Sequence, residues 1–200
     1  MSAIMNVISS GIAPLFTSQT VAGAFTETIP AGGYTQLLIE LSAGGGGGGA
    51  GDGTNNFLGG GGGGGAYAIT TVAINIAGQA GNTIKGVIGS GGNVGPAANG
   101  TASSINLTGT ATGLNTITVN PGSLGGDGGP SANGTPGPGG TTSSGTNWTV
   151  TVGHTSSGRP GGTGVPGTLG ATYGAGGQGG PITGGVGIVG NAGGANFKYF

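Results

Sequence analysis

The residue types that carry acid–base, nucleophilic or metal chemistry are scarce in this sequence, so their spacing can be read one by one. His154 is the single histidine, with Ser156 and Ser157 just behind it. A nucleophile triad also needs a carboxylate to orient the imidazole, and the chain has four, Glu27, Glu40, Asp52 and Asp127. His154 lies in a Ser/Gly/Thr loop, so the pattern does not read as a triad. Paired carboxylates for acid–base hydrolysis would come from the same four residues. Glu27 and Glu40 fall in alternating β-type runs and read as solvated surface groups. Asp52 and Asp127 sit in glycine loops, and one carboxylate is far short of the six to eight oxygens, roughly, that calcium takes. Cysteine is absent, which removes thiol chemistry, Cys-based metal sites and disulfides and leaves the redox compartment unencoded. Phosphate cradles need a Lys-Ser/Thr pair and a helix after the glycines. Neither Gly49-Ala50-Gly51-Asp52 nor Gly65-Ala66-Tyr67 supplies them. The expectation is a protein that is not an enzyme and has no cofactor and no metal.

Binding energy is better sought in the aromatic residues. Tyr34, Tyr67, Trp148, Phe197, Tyr199 and Phe200 fall in or beside β-type runs and read as packing groups, Trp148 as a core residue. Phe57 and Tyr173 sit inside glycine-rich loops, where an aromatic on a side-chain-poor loop can stack on a sugar or anchor a protein contact. With the neighbouring amides Asn55 and Asn56 they are the candidate receptor-contact residues. Four Asn-x-Ser/Thr matches, at Asn99, Asn106, Asn133 and Asn147, matter only in a secretory setting.

What must position these residues is an unusual chain. Of 200 residues 57 are glycine, and Leu, Ile, Val and Phe together make just under a fifth, the edge at which a conventional core becomes hard to build. The formal net charge of −1 leaves no electrostatic footprint for nucleic acid or an acidic membrane. Residues 1–20 lack Lys and Arg and do not read as a signal peptide. No apolar window reaches membrane-spanning length.

Two textures alternate. The first is β: residues 20–29 (TVAGAFTETI) and 34–41 (YTQLLIEL) flank the turn Pro30-Ala31-Gly32-Gly33 and read as a hairpin. Further strands are predicted at 66–77, 82–88, 101–108, 115–119, 146–152 and 195–200. In the run 146–152 Trp148, Val150 and Val152 share a face. Apolar residues never recur at helical spacing, and glycine costs about 1 kcal/mol per helical position, so essentially no α-helix is expected. The second texture is glycine at every third place: Gly86 to Gly95, Gly122 to Gly140 with Ser131 interposed, Gly158 to Gly170, Gly174 to Gly180 and Gly184 to Gly193. Three residues per turn is polyproline-II geometry, and a bare edge lets another such helix approach closely. Buried backbone groups would then bond between helices. The pure glycine runs 44–49 and 59–65 have a second reading, as flexible tethers.

The order Thr28-Ile29-Pro30-Ala31-Gly32, then Leu41-Ser42-Ala43-Gly44 with its glycine run, then Gly65-Ala66-Tyr67-Ala68, Val87-Ile88-Gly89-Ser90-Gly91-Gly92 and finally Gly193-Gly194-Ala195-Asn196-Phe197-Lys198-Tyr199 resembles the glycine-rich domain of bacteriophage tail-fibre and spike proteins. The triplet runs are similar to those of the tail-fibre tip adhesins of T-even-like phages. The resemblance implies packed glycine helices in a virion protein whose distal loops touch a host. It departs at Gly33-Tyr34, where the usual pattern has Val-Thr.

The resulting expectation is an all-β protein, an antiparallel sandwich or jelly-roll-like framework interleaved with packed polyglycine helices. Residues 1–19 form an N-terminal arm for virion or partner attachment, and 20–200 form the domain, with Gly-x-x segments at about 84–98, 120–141 and 158–193. Functionally it reads as a phage virion surface protein, a spike, fibre tip or decoration, that presents rigid loops such as 51–58 and 131–142 for host attachment. Its partners are other virion proteins and a bacterial surface receptor, protein or glycan, with a homo-oligomer open. The alternatives are a purely structural capsid or cement protein and an ice-binding protein.

Overall fold

The computed structural model describes residues 11–70, 73–94, 100–106, 109–129, 131–141, 148–151, 176–177 and 187–200. Among these there is no helix, and all regular structure is antiparallel β. One sheet has the order β1 (Leu15–Gln19), β10 (Gly194–Tyr199), β3 (Gln36–Ser42), β4 (Tyr67–Thr70) and β9 (Trp148–Thr151), with β5 (Ile74–Asn75) also paired to β3. The other has the order β2 (Gly23–Thr28), β6 (Thr83–Ile88), β7 (Ser103–Asn106) and β8 (Ile117–Val119).

Strand alternation builds the core. Leu37, Ile39 and Leu41 of β3 and Ala195, Phe197 and Tyr199 of β10 are buried from one sheet; Ile84 and Ile88 of β6, Ile105, Ile117 and Val119 are buried from the other, all in one cluster. Phe25 of β2 meets Phe197 of β10 edge-on at 5.9 Å, so side chains of the two sheets interlock there. Gly86 lies in β6, inside the strand and not in a glycine helix, and a side chain in its place would run into the Phe25 ring.

The expected hairpin of 20–29 with 34–41 does not form. All six residues of β2 pair with β6, while β3 pairs with β10, β4 and β5. Gly32 and Gly33 take φ of +138° and +82°, conformations that favour glycine, and they carry the chain from one sheet to the other. Ile29 N–H donates to the Asn82 carbonyl on one side of this corner, and Thr35 and Gln36 N–H donate to the Phe200 carbonyl on the other. A turn signature announces a reversal but not which strand is met afterwards. The arm's residues 15–19, in contrast, are a strand: β1 pairs with the whole run Ala195 to Tyr199 in unbroken register, Leu15 facing Tyr199 and Gln19 facing Ala195.

The glycine segments continue the strands. β3 runs into 43–50 and 58–66 runs into β4; 120–129 leaves β8 and 132–141 folds back beside it; 89–94 leaves β6 and 187–193 enters β10. Their hydrogen bonds recur every third residue. Ala43, Gly46 and Gly49 donate to Ala66, Gly63 and Gly60; Gly60, Gly63 and Ala66 donate to Gly126, Ser123 and Asn120; Gly122, Gly125 and Gly128 donate to Gly44, Gly47 and Ala50. The third ladder is parallel and the first two antiparallel. A three-residue turn gives each segment rows of N–H groups about 120° apart, so one segment can serve several neighbours. The 43–50 segment bonds to 58–66, 89–94, 120–129, 176–177 and 187–193. Its glycines 44–49 are all buried, as are 59–65, and both runs are hydrogen-bonded to their neighbours, so the tether reading of the pure glycine runs fails.

Candidate functional site

At about 3.1 Å per residue, the eight residues 43–50 hold the loop after them roughly 25 Å beyond the end of β3. That loop, 51–57, and the neighbouring reversal from 120–129 into 132–141 therefore stand at the far end of the bundle from the sheets.

Backbone and side chains lock them. Asp52 N–H donates to the Phe57 carbonyl at 3.1 Å, closing the loop. The Asp52 carboxylate lies inside it and accepts from the N–H of Thr54 at 3.1 Å, the N–H of Asn55 at 3.0 Å, the Asn55 side-chain amide at 2.9 Å and the N–H of Phe57 at 3.4 Å. Desolvation pushes this carboxyl up, but the donors from Asn55, Thr54 and Phe57 outweigh it and hold the group below its ordinary value. The second loop pins the first. Asp127 Oδ1 accepts from Ala50 N–H at 2.7 Å and Asn133 Oδ1 accepts from Leu58 N–H at 2.9 Å, one at each foot of the loop. Gly128 N–H donates to the Ala50 carbonyl and Gly134 N–H to the Leu58 carbonyl.

The candidate residues are placed as follows. Asn55 is exposed and bound to Asp52; Asn56 is exposed with φ of +60°, a non-glycine residue in the left-handed region, where Asn is tolerated best. Phe57 is half-buried. These three share the tip. Tyr173 lies outside the described residues, as do His154, Ser156 and Ser157. Trp148 is in β9. Nothing in the spacing of Asp127 and Asn133 announces their pinning roles. The signal that could have found them is the presence of Asp or Asn, whose short side chains bond to nearby backbone, beside glycine reversals.

The two glutamates do other work. Glu27 is buried, not solvated as its alternation implied: it accepts from Thr17 Oγ1 at 2.6 Å, Tyr199 Oη at 2.9 Å and Gln19 Nε2 at 3.0 Å. Three donors from β1 and β10 compensate its desolvation, and the contact joins the two sheets. Burial first, then the Glu27 charge, pushes the Tyr199 phenol far up, so it stays a donor. Glu40, on β3, pairs with Lys198 and accepts from Asn196 at 3.2 Å. Burial and the Glu40 charge push the Tyr67 phenol up to about 12. Among the described residues no three His, Asp or Glu side chains come together to hold a metal, and no helix is long and apolar enough to cross a membrane.

A glycine-rich domain family model matches residues 19–199. The chain belongs to this glycine-rich domain family. The match takes in every strand after β1 together with the glycine segments. No curated protein matches the chain.

Proposed function

We propose that this glycine-rich domain protein is a phage virion surface protein, a spike, fibre tip or decoration, whose bundle tip attaches to a receptor on the bacterial host. The observation that carries the reading is the tip itself: an exposed loop, 51–57, closed by Asp52 and tied at both feet by Asp127 and Asn133. A loop ordered before binding does not lose that conformational freedom on contact. Its exposed groups, Thr54, Asn55 and Asn56 beside Phe57, are hydroxyl, amide and aromatic, the types that recognise a neutral surface by shape and hydrogen bonding. The resemblance to phage tail-fibre domains supports the setting.

The test is adsorption. Particles carrying Phe57→Ala, or Asn55→Ala with Asn56→Gly, are expected to adsorb to host cells about tenfold more slowly, with the unfolding midpoint of the isolated chain within a few degrees of the original. Unchanged adsorption by both variants removes the tip from the receptor contact, and imaging that places the tip against capsid subunits makes the chain a cement protein.

A second reading, ice binding, has one observation behind it: Ala132, Thr135, Pro138 and Thr141 are all exposed at a three-residue interval along one segment. Thermal hysteresis in the purified chain supports it, and its absence disposes of it.

A further inference from the structure

The sheets end at β1 and β9 in one and at β2 and β8 in the other. An edge strand presents unpaired N–H and C=O groups that a second chain can complete, and proteins commonly guard such edges by shortness, by charge or by an inward-pointing charged residue. β8 has three residues. β2 carries the inward Glu27. β1 has no charged guard: its five residues are LFTSQ, and no Lys, Arg, Asp or Glu occurs anywhere before Glu27. Its backbone pairs with β10 on one side, and among the described residues nothing bonds to the other.

Two of the five large apolar side chains exposed among the described residues lie on this strand or just after it. Phe16 is 63% exposed and Val21 82%, and the Phe200 ring stands edge-on to Phe16 at 6.4 Å. Ser18 lies on the same face as Phe16 and donates to Asn196.

We propose that β1 is a self-association edge, and that its occupant is the β1 strand of a second copy of this chain, antiparallel about a two-fold axis through Thr17. Symmetry makes such a contact self-complementary. With Thr17 opposite its own copy, Phe16 faces the partner's Ser18 and Ser18 faces the partner's Phe16. The two Phe16 rings are then diagonal neighbours, within reach of each other across the ladder. The neutral edge brings no like charges together, which favours a second copy over a charged partner. Five residues make a small interface, so the pair forms in a concentration-dependent way. This inference goes beyond the receptor reading and does not rest on it.

Sedimentation equilibrium on the full chain tests it. The wild-type mass is expected to rise from 18.3 kDa toward twice that value with concentration. Phe16→Lys with Ser18→Lys sets the introduced lysines against each other across the axis and should weaken association at least tenfold. Both residues are exposed, and an unchanged unfolding midpoint confirms that the variant folds. Mixing this variant with the Phe16→Glu, Ser18→Glu chain should restore a mixed dimer. A wild type that keeps a single-chain mass up to roughly 1 mM, a lysine variant that associates as strongly as the wild type, or a mixture that stays monomeric overturns the proposal.

Discussion

Asp52 and Glu27 are both carboxylates held by hydrogen bonds, yet they answer different experiments. Asp52 lies at the tip with its carboxyl below its ordinary value of 3.8. A group whose folded value is depressed contributes order that is complete above the ordinary value and is lost as pH falls through the lowered one. The 52–57 loop is therefore expected to stay closed at neutral pH and to open in acid below about pH 4, read as faster amide exchange at Thr54 and Asn55. Asp52→Ala should remove that pH dependence; a loop whose acid opening persists in the variant is held by something else. Glu27 acts on the whole fold. Glu27→Ala leaves the Tyr199 hydroxyl, in a fully buried side chain, without its acceptor, at a cost of about 2–4 kcal/mol. Glu27→Gln keeps one acceptor oxygen and should cost less. Urea midpoints order the three proteins, and an alanine variant as stable as the original would show that the cross-sheet contact contributes nothing.

Glycine in the bundle is required by space, not by backbone conformation: none of the described glycines from 44 to 49 or 59 to 65 has positive φ. A Cβ on Gly62 would sit against the Gly46 carbonyl well inside the 3.0 Å that real Cβ atoms observe, whereas one on Gly129 would find its nearest neighbour, the Ala132 carbonyl oxygen, at 4.0 Å. Gly62→Ala is expected to destabilise by about 3 kcal/mol or more, because the clashing atoms are backbone and cannot rotate away. Gly129→Ala should stay within about 0.5 kcal/mol of the original. Equal midpoints for the two variants in thermal melts would contradict the close packing. This requirement is also why the bundle was legible in the sequence. Gly122, Gly125, Gly134, Gly137, Gly140, Gly187 and Gly190 all keep the three-residue interval, and at each a side chain would meet a neighbouring carbonyl. In 44–49 and 59–65 every position is glycine, so no period shows and the segments look like linkers. Strand positions were legible from alternation, but the partner of β2 was not, because pairing is decided by the far-off β6. The burial of Glu27 is hidden for a related reason: its three donors come from β1 and β10, and alternation in one strand carries no trace of them.

At the level of the whole molecule, the sheets and the bundle form one hydrogen-bonded continuum, since β3, β4, β6, β8 and β10 each pass directly into a glycine segment. Ordering glycine costs backbone entropy of about 1–2 kcal/mol per residue, and few apolar side chains are present to offset it, so backbone pairing carries an unusual share of the stabilisation. Amide exchange measures that share directly. Gly46 and Gly49 donate to Gly63 and Gly60, and Gly60 and Gly63 donate in turn to Gly126 and Ser123, the four donors all being buried. Because such amides open only when their neighbours separate, they are expected to exchange within about tenfold of the slowest amides of β3, as one cooperative unit. The exposed Gly53, in the tip loop, should exchange many times faster. If Gly46, Gly49, Gly60 and Gly63 instead exchange at the rate of Gly53, the bundle opens independently of the sheets. It could then not hold the tip loops in a fixed shape, and receptor binding through a preformed surface would lose its physical basis.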